Sequence, residues 1–250
     1  MKFSPANAKI HRLQQVGALK RYLNGRKKVY SFDLLSGWSC PFANECLAKV
    51  HQINGKTKVV DGPNTKFRCY SASQEALYPT VYKLRKANFD KCKELVKLGK
   101  EAFLNEFNKC KPKNLGILRL HTAGDFFSQD YFDCWVYVAE QNPDILFYAY
   151  TKSIPYWVSR KGNLPSNLVF TASYGGRKDD MIGEHNLRYT KVIMATKERN
   201  GLPIDSDDSH AANPKKKDKP FALLLHGIQP KGSDAAKALQ KLKGKGSYSR

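Results

Sequence analysis

The chain has 250 residues, of which 43 are Lys or Arg and 22 are Asp or Glu, so its formal net charge is +21. Its hydrophobic content of 41% is typical of a folded globular protein and excludes a disordered tail. The longest apolar runs, such as residues 221–225, are far shorter than the roughly 20 residues that cross a bilayer. The first 17 residues lack the apolar region of a secretion signal. We therefore expect a cytoplasmic protein without a membrane span.

Most of the positive charge lies near the two ends of the chain. Residues 1–29 hold eight basic and no acidic side chains, and residues 213–250 hold ten basic and two acidic ones. This distribution predicts a basic N-terminal arm at 1–29, a single domain at 30–228 and a basic C-terminal tail at 229–250. Basic arms attract polyanions through counterion release, so nucleic acid is a natural partner. An acidic protein partner, or a surface that only keeps the protein soluble, would use the same charge.

Short runs rich in β-branched and aromatic residues alternate with helical stretches along the chain. In chain order they predict a strand at 29–34, a helix at 72–99 interrupted near Pro79, a helix at 100–110, a strand at 115–121, a helix at 129–141, a strand at 145–151, a short helix at 154–160, strands at 168–173, 191–196 and 221–226, and a helix at 234–242. Alternating strands and helices are typical of βαβ units. The sequence therefore predicts an α/β fold with a parallel sheet.

Three of the predicted strands end in polar side chains. These residues are His121, Asp125, Thr151, Lys152 and Ser173. Because ligands of parallel α/β folds bind at the carboxyl ends of the strands, we expect a shared site there. His121 and Asp125 would serve as proton donor and acceptor, and Lys152 would bind an anionic group. The alternative is that these residues only cap helices and close turns.

Three of the six cysteines are clustered in the N-terminal half. Cys40 and Cys46 form a C-x5-C pair in a polar loop, and Cys69 follows 23 positions later, just before a helix start. In a cytoplasmic chain such a cluster favours metal binding over disulfides. Three cysteines suit a [4Fe-4S] cluster with one open iron, or a zinc site completed by another residue, although C-x5-C is a loose spacing for zinc. They could also be ordinary buried hydrophobic residues.

The fourth ligand of such a centre stays open at this stage. The candidates are Asp33, His51, Cys92, Cys110 or a small exogenous molecule. Cys134 lies in a helix that is apolar on most of its surface, so we expect it to be a core residue.

Five segments resemble the phage family called gene product 88. They are residues 39–46, 61–69, 121–127, 148–153 and 207–211, and the resemblance runs from about residue 36 to residue 239. It implies a phage-encoded protein that acts inside a bacterial cell.

The cysteine-rich N-terminal half followed by βα units is also similar in outline to radical S-adenosylmethionine enzymes. Their partial barrels hold a three-cysteine [4Fe-4S] cluster near the end of the first strand. That similarity implies a partial (β/α) barrel-like parallel sheet with a cysteine-bearing N-terminal loop. The chain departs from their pattern, because those enzymes take all three ligands from one short C-x3-C-x2-C loop.

Three functions follow as hypotheses. The first is an iron-sulfur protein that uses Cys40, Cys46 and Cys69 for electron transfer or substrate activation. The second is a nucleic-acid-binding protein with a structural zinc site, in which aromatic residues near basic ones, such as residues 66–70 and Tyr248, stack on bases. The third is a host-interaction protein without a cofactor.

Overall fold

The computed structural model describes residues 1–54 and 56–243. Its strands are β1 (Ser4–Pro5), β2 (Lys28–Phe32), β3 (Ala48–Ile53), β4 (Lys56–Asp61), β5 (Leu115–Leu120), β6 (Leu146–Thr151), β7 (Leu168–Ser173), β8 (Tyr189–Ile193) and β9 (Phe221–Leu224). Its helices are α1 (Ala8–His11), α2 (Tyr70–Leu77), α3 (Pro79–Leu98), α4 (Lys100–Cys110), α5 (Gln129–Glu140), α6 (Ile154–Val158), α7 (Asp180–Glu184) and α8 (Asp234–Leu242). Within those described ranges, none of the helices is long and apolar enough to span a bilayer.

Seven strands form one sheet in the order β1-β2-β5-β6-β7-β8-β9. The edge strand β1 pairs with β2 in the antiparallel sense, and every other neighbouring pair in this sheet is parallel. Parallel strands that neighbour each other in chain order are the arrangement of a (β/α) barrel that is not closed. The predicted α/β class with a parallel sheet is therefore confirmed.

The helices follow the predicted pattern closely. The interruption expected near Pro79 lies at Tyr78, since α2 ends at Leu77 and Pro79 occupies the first turn of α3, where its missing N–H costs nothing. Helix α5 begins after Ser128, whose hydroxyl accepts a hydrogen bond from the Tyr131 N–H at 3.2 Å. The strand predicted at 191–196 begins earlier, because Tyr189 already pairs with β7.

Alternate residues along the strands face opposite sides of the sheet, and each side packs in its own hydrophobic layer. One face packs against α3, α4 and α5 in an aromatic core that includes Phe107, Trp135 and Phe147. The other face, which carries Ile117 and Tyr148, is covered by the N-terminal segment and by the segment before β9. A strand that is buried on both faces has a nearly continuous apolar sequence. This is why β5 and β6 could be predicted from the sequence.

The basic segment 1–29 lies along the sheet. Ile10, Leu13 and Leu19 are fully buried against the second face, and β1 adds an edge strand next to β2. At the other end, Leu242 of α8 is buried in a small cluster with β9. Residues 244–250, with Tyr248, lie outside the described part of the chain.

A separate antiparallel hairpin, formed by β3 and β4, occupies the chain between Cys46 and Cys69. Ala48 and Val50 on its inner face pack on Ala72 of α2. The sequence did not predict this hairpin. Its two strands account for the long spacing between the second and third cysteines.

Candidate functional site

The cysteine loop follows β2 and is anchored at its start by a buried ion pair. The N–H and hydroxyl of Ser36 both donate to Glu75 Oε1, at 3.0 and 2.7 Å. Arg85 of α3 donates to the same oxygen at 3.1 Å. Burial raises the pKa of Glu75, while Arg85 and the Ser36 hydrogen bonds act in the opposite direction. Helices α2 and α3 therefore fix where the loop begins.

Two glycines allow the close approaches that shape this loop. Gly37 has a φ of +69°, and a Cβ there would lie 2.3 Å from the carbonyl oxygen of Ala48. Gly124, after β5, has a φ of +87°, and a Cβ there would lie 2.5 Å from the Ser39 hydroxyl. Only glycine adopts these conformations without strain and leaves the space that the neighbouring chain occupies.

The far end of the cysteine loop is held by the loop that follows β7. The N–H groups of Asn44 and Glu45 donate to the carbonyl oxygen of Gly175, at 3.3 and 2.9 Å. In return, the Arg177 N–H donates to the Phe42 carbonyl oxygen at 2.9 Å. The loop is thus attached to the sheet at the carboxyl end of its strands.

The three clustered thiols form one electrostatic group with Asp125 and Lys152. Burial raises the pKa of Cys40 well above its ordinary value, and Asp125, Cys69 and Cys46 raise it further. Burial also raises the pKa of Cys46 to about 11, with Lys152 acting in the opposite direction. The structure therefore brings the three predicted ligands together with two of the predicted strand-end residues.

Asp125 is held by donors from the end of β6. Its Oδ1 accepts the Thr151 hydroxyl at 2.6 Å and the Phe126 N–H at 2.8 Å. Its Oδ2 accepts the Lys152 N–H at 2.8 Å. Burial raises the pKa of Asp125 to about 6, although these hydrogen bonds favour the carboxylate.

Lys152 links the ends of β6 and β7. Its Nζ donates to the carbonyl oxygen and the hydroxyl of Ser173, both at 3.0 Å, and also to the carbonyl oxygen of Tyr174. The predicted site residues Asp125, Thr151, Lys152 and Ser173 are therefore neighbours in space.

His121 has different surroundings from the other predicted strand-end residues. Its Nε2 lies 2.9 Å from the Tyr131 hydroxyl, and its ring packs against Phe126 with centroids 5.0 Å apart. Burial lowers the pKa of His121 to about 3, so the imidazole is neutral at neutral pH. These contacts belong to the aromatic core under α5.

The four protein candidates for a fourth ligand have other partners. Asp33 Oδ1 accepts the Thr122 N–H at 2.6 Å. His51, on the hairpin, packs against the Trp38 ring with centroids 5.1 Å apart. Cys92 is buried in α3, and Cys110 ends α4 beside Glu106. Across residues 1–54 and 56–243, no three or more His, Cys, Asp or Glu side chains are arranged to hold a metal ion.

A family model described as Gene product 88 matches residues 1–242. The chain belongs to the phage gene product 88 family. It is 31% identical over 116 residues to the Gene 88 protein of Mycobacterium phage L5, and the match covers 46% of this chain and 44% of that relative. The matched part thus spans less than half the length of the relative. No solved structure gives a significant match. The resemblance predicted from the motifs is confirmed.

A buried polar layer, which the sequence did not predict, lies on the second face of the sheet. Asp208 is its centre. Its Oδ2 accepts from Arg119 at 2.5 Å and from the Tyr148 hydroxyl at 3.0 Å. Its Oδ1 accepts from the Tyr150 hydroxyl at 3.0 Å and from Lys9 Nζ at 2.8 Å. Burial opposes ionisation of Asp208, but Arg119 and Lys9 outweigh it and lower the pKa to about 2.

Buried polar atoms without partners also occur near this layer. Arg119 Nε, Thr190 Oγ1 and Asp205 Oδ1 have no hydrogen-bond partner among the described residues. Thr190 of β8 pairs in register with Ser173 of β7. The carbonyl oxygen and hydroxyl of Ser173 accept hydrogen bonds from Lys152 Nζ. Buried polar groups in native structures are almost always hydrogen-bonded, so the three unpaired atoms are exceptions to that rule. The signal in the sequence was Arg119 in an otherwise apolar strand.

Proposed function

We propose that this protein is a phage-encoded iron-sulfur protein of the host cytoplasm, in which Cys40, Cys46 and Cys69 hold a [4Fe-4S] cluster. The cluster would have a redox or substrate-activating role at the carboxyl ends of the strands. The observation that carries the proposal is the electrostatic group of three thiols with Asp125 and Lys152.

The pKa values of these thiols favour metal ligation over catalysis by a free thiol. A nucleophilic cysteine needs a lowered pKa, because the thiolate is the reactive form. Burial instead raises the pKa of Cys40 and Cys46, so both are protonated at neutral pH in the metal-free chain. A bound metal supplies the positive charge that removes these protons.

A [4Fe-4S] cluster and a single zinc ion require different separations between their sulfur ligands. With Zn–S bonds of about 2.3 Å, tetrahedral ligation requires sulfurs about 4 Å apart. In the described part of the chain, no three or more His, Cys, Asp or Glu side chains are arranged to hold a metal ion of either kind. A [4Fe-4S] core is wider, and each of its thiolates binds a different iron. The proposal of a cluster rests on the nearness of Cys46 and Cys69 to Cys40, whose pKa both of them raise.

A bound cluster would supply one-electron redox chemistry, and an iron without a protein ligand would bind a substrate atom. The chain's own residues would balance charge and exclude water. Lys152 places a cation beside Cys46 and offsets the thiolates. Asp125 holds the Lys152 backbone in position.

The test is the metal content of protein purified without oxygen. We expect roughly four iron and four sulfide per chain, a broad visible absorbance, and an electron paramagnetic resonance signal after reduction. One zinc per chain without iron, or a colourless protein that takes up no iron during reconstitution with ferrous iron and sulfide, would contradict the proposal.

Binding of nucleic acid is a second candidate function. It is supported by the net charge of +21, which attracts polyanions whether or not a metal is bound. If nucleic-acid binding is the function, the thiols would hold a structural zinc ion. The alternative partner for the same positive charge is an acidic protein.

A further inference from the structure

The outer face of the β3–β4 hairpin combines basic and apolar side chains on a surface that faces away from α2. Strand pairing places Lys49 opposite Val60 and His51 opposite Lys58. The inner residues Ala48 and Val50 are buried, so the alternation of a strand turns these four toward solvent. We call Trp38, Lys49, His51, Lys58 and Val60 the hairpin face.

Trp38 brings an exposed aromatic ring to this surface. Trp38 lies in the cysteine loop, two residues before Cys40. Its Nε1 donates a hydrogen bond to the Val50 carbonyl oxygen at 3.1 Å. Its side chain is nevertheless 43% exposed. Lys49 Nζ lies 4.6 Å from the ring centroid, and the His51 ring lies 5.1 Å away. The hydrogen bond fixes the ring in a position that leaves part of it open.

The hairpin face has no acidic residue of its own. The nearby carboxylate of Asp61 is engaged by Arg68 at 2.5 Å, and Glu45 pairs with Lys66. Neither Lys49 nor Lys58 forms an ion pair with a carboxylate of the described residues. The face therefore presents a tryptophan ring that is 43% exposed, with Lys49 over it, and two lysines that no carboxylate of the described residues neutralises.

We propose that the hairpin face binds single-stranded nucleic acid. A base stacks on Trp38 beside His51, and the flanking phosphates pair with Lys49 and Lys58. Stacking on an aromatic ring needs an unpaired base, which a duplex does not offer. The site extends the nucleic-acid candidate from the chain ends to a defined surface and does not depend on a cluster. Because the hairpin joins Cys46 to Cys69, the bound strand would lie beside the thiols.

The test is fluorescence anisotropy with a fluorescein-labelled oligonucleotide of twelve thymidines, and with a duplex of the same length. The variants are Trp38→Ala, Trp38→Phe and the double variant Lys49→Gln/Lys58→Gln. We expect Trp38→Ala to weaken binding of the single strand by about tenfold, and Trp38→Phe by less, because a phenyl ring still stacks. The lysine double variant should reduce the slope of log K against log salt by about 1.4, since each phosphate contact contributes about 0.7.

The control is Lys97→Gln/Lys109→Gln, which removes the same charge from exposed positions on α3 and α4. We expect its salt slope to stay near that of the unmodified protein. Poly-L-glutamate should compete poorly, because it carries charge without bases. Equal competition by poly-L-glutamate, equal affinity for the duplex, or an equal loss in the control would overturn the proposal and indicate an acidic partner or charge alone.

Folding and iron content are measured for every variant. If Trp38→Ala does not fold, the lysine double variant decides, and an unchanged salt slope in that variant refutes the proposal. Loss of oligonucleotide binding with unchanged iron content supports the hairpin face independently of the cluster. A protein that never binds iron leaves this test intact, so failure of one proposal is distinguishable from failure of the other.

Discussion

Asp208 and Arg119 form a buried ion pair of 2.5 Å between residues that are 89 positions apart in the chain. The pair attaches the segment before β9 to the centre of the sheet. Asp208 has a φ of +62°, a conformation that Asp and Asn tolerate better than other residues with a side chain. One carboxylate thus forms ion pairs with both Arg119 and Lys9, at a turn residue with a positive φ.

Replacing Asp208 with Asn keeps the turn and removes the charge. We expect Asp208→Asn to lower the free energy of unfolding at pH 7 by roughly 3–5 kcal/mol, because buried Arg119 and partly buried Lys9 lose the carboxylate that they share. The folded-state pKa of Asp208, about 2, is below its unfolded value. Its stabilisation is therefore complete above about pH 4 and is lost as the pH falls through 2.

Urea unfolding at pH 7, 5 and 3 measures this effect. The difference between the unmodified protein and Asp208→Asn should be smaller at pH 3 than at pH 7. Asp207→Asn, at a partly exposed neighbour, should change stability by less than about 1 kcal/mol. A difference that does not vary with pH would show that charge is not its source.

Gly124→Ala tests the close contact between the loop after β5 and the cysteine loop. The new methyl group would lie 2.5 Å from Ser39 Oγ and 2.7 Å from Leu34 Cβ. Ser39 Oγ also accepts the Asp125 N–H at 3.3 Å, so a shift there reaches the thiol group. We expect a loss of roughly 1–3 kcal/mol in stability beyond the backbone strain, and weaker iron retention.

Gly162→Ala is the matched control, because Gly162 also has a positive φ, +93°, but no atom within 4 Å of the added Cβ. Thermal unfolding of both variants separates contact from strain. Equal losses in the two would mean that the Ser39 contact is not responsible.

Much of the fold was predictable because its signals are local. Pro79 interrupts a helical pattern, and the apolar run of β7 is bounded by polar residues, so the break and the strand at Leu168–Ser173 appear where expected. The hairpin was not predicted, because only Ala48 and Val50 of β3 are buried and alternation over so few residues is a weak signal.

The candidate site was only partly predictable, because it depends on contacts between distant segments. Because parallel strands carry their ligands at the carboxyl ends, the sequence predicted that Asp125 and Lys152 lie at the same edge of the sheet, and there they are hydrogen-bonded to each other. That reasoning gave no information on which layer His121 would enter, and His121 packs on Tyr131 in the core. Arg119 stands out in an apolar strand, but nothing local in the sequence indicates that its partner is Asp208, 89 positions away.

The ligand set is tested by single Cys→Ser replacements at positions 40, 46 and 69. Each should lower the iron bound per chain after anaerobic reconstitution, because a serine hydroxyl is a poor substitute for a thiolate ligand. Cys134→Ser should keep the iron and cost roughly 1–3 kcal/mol in stability, since it buries a polar group in the core. Loss of iron in Cys134→Ser alone would show that the assigned ligands are wrong.

Lys152→Gln tests the electrostatic coupling between Lys152 and the thiols in metal-free, reduced protein. Burial raises the pKa of Cys46 to about 11, and Lys152 counteracts part of that rise. Removing the cation should raise the pKa further, so the thiolate fraction at pH 9 falls. We expect the alkylation of Cys46 by iodoacetamide, followed by peptide mass spectrometry, to slow several-fold relative to that of Cys110. Lys178→Gln, at an exposed position in the loop after β7, should leave the rate unchanged. A faster reaction in Lys152→Gln would mean that Lys152 shields Cys46 from the reagent instead of stabilising its thiolate.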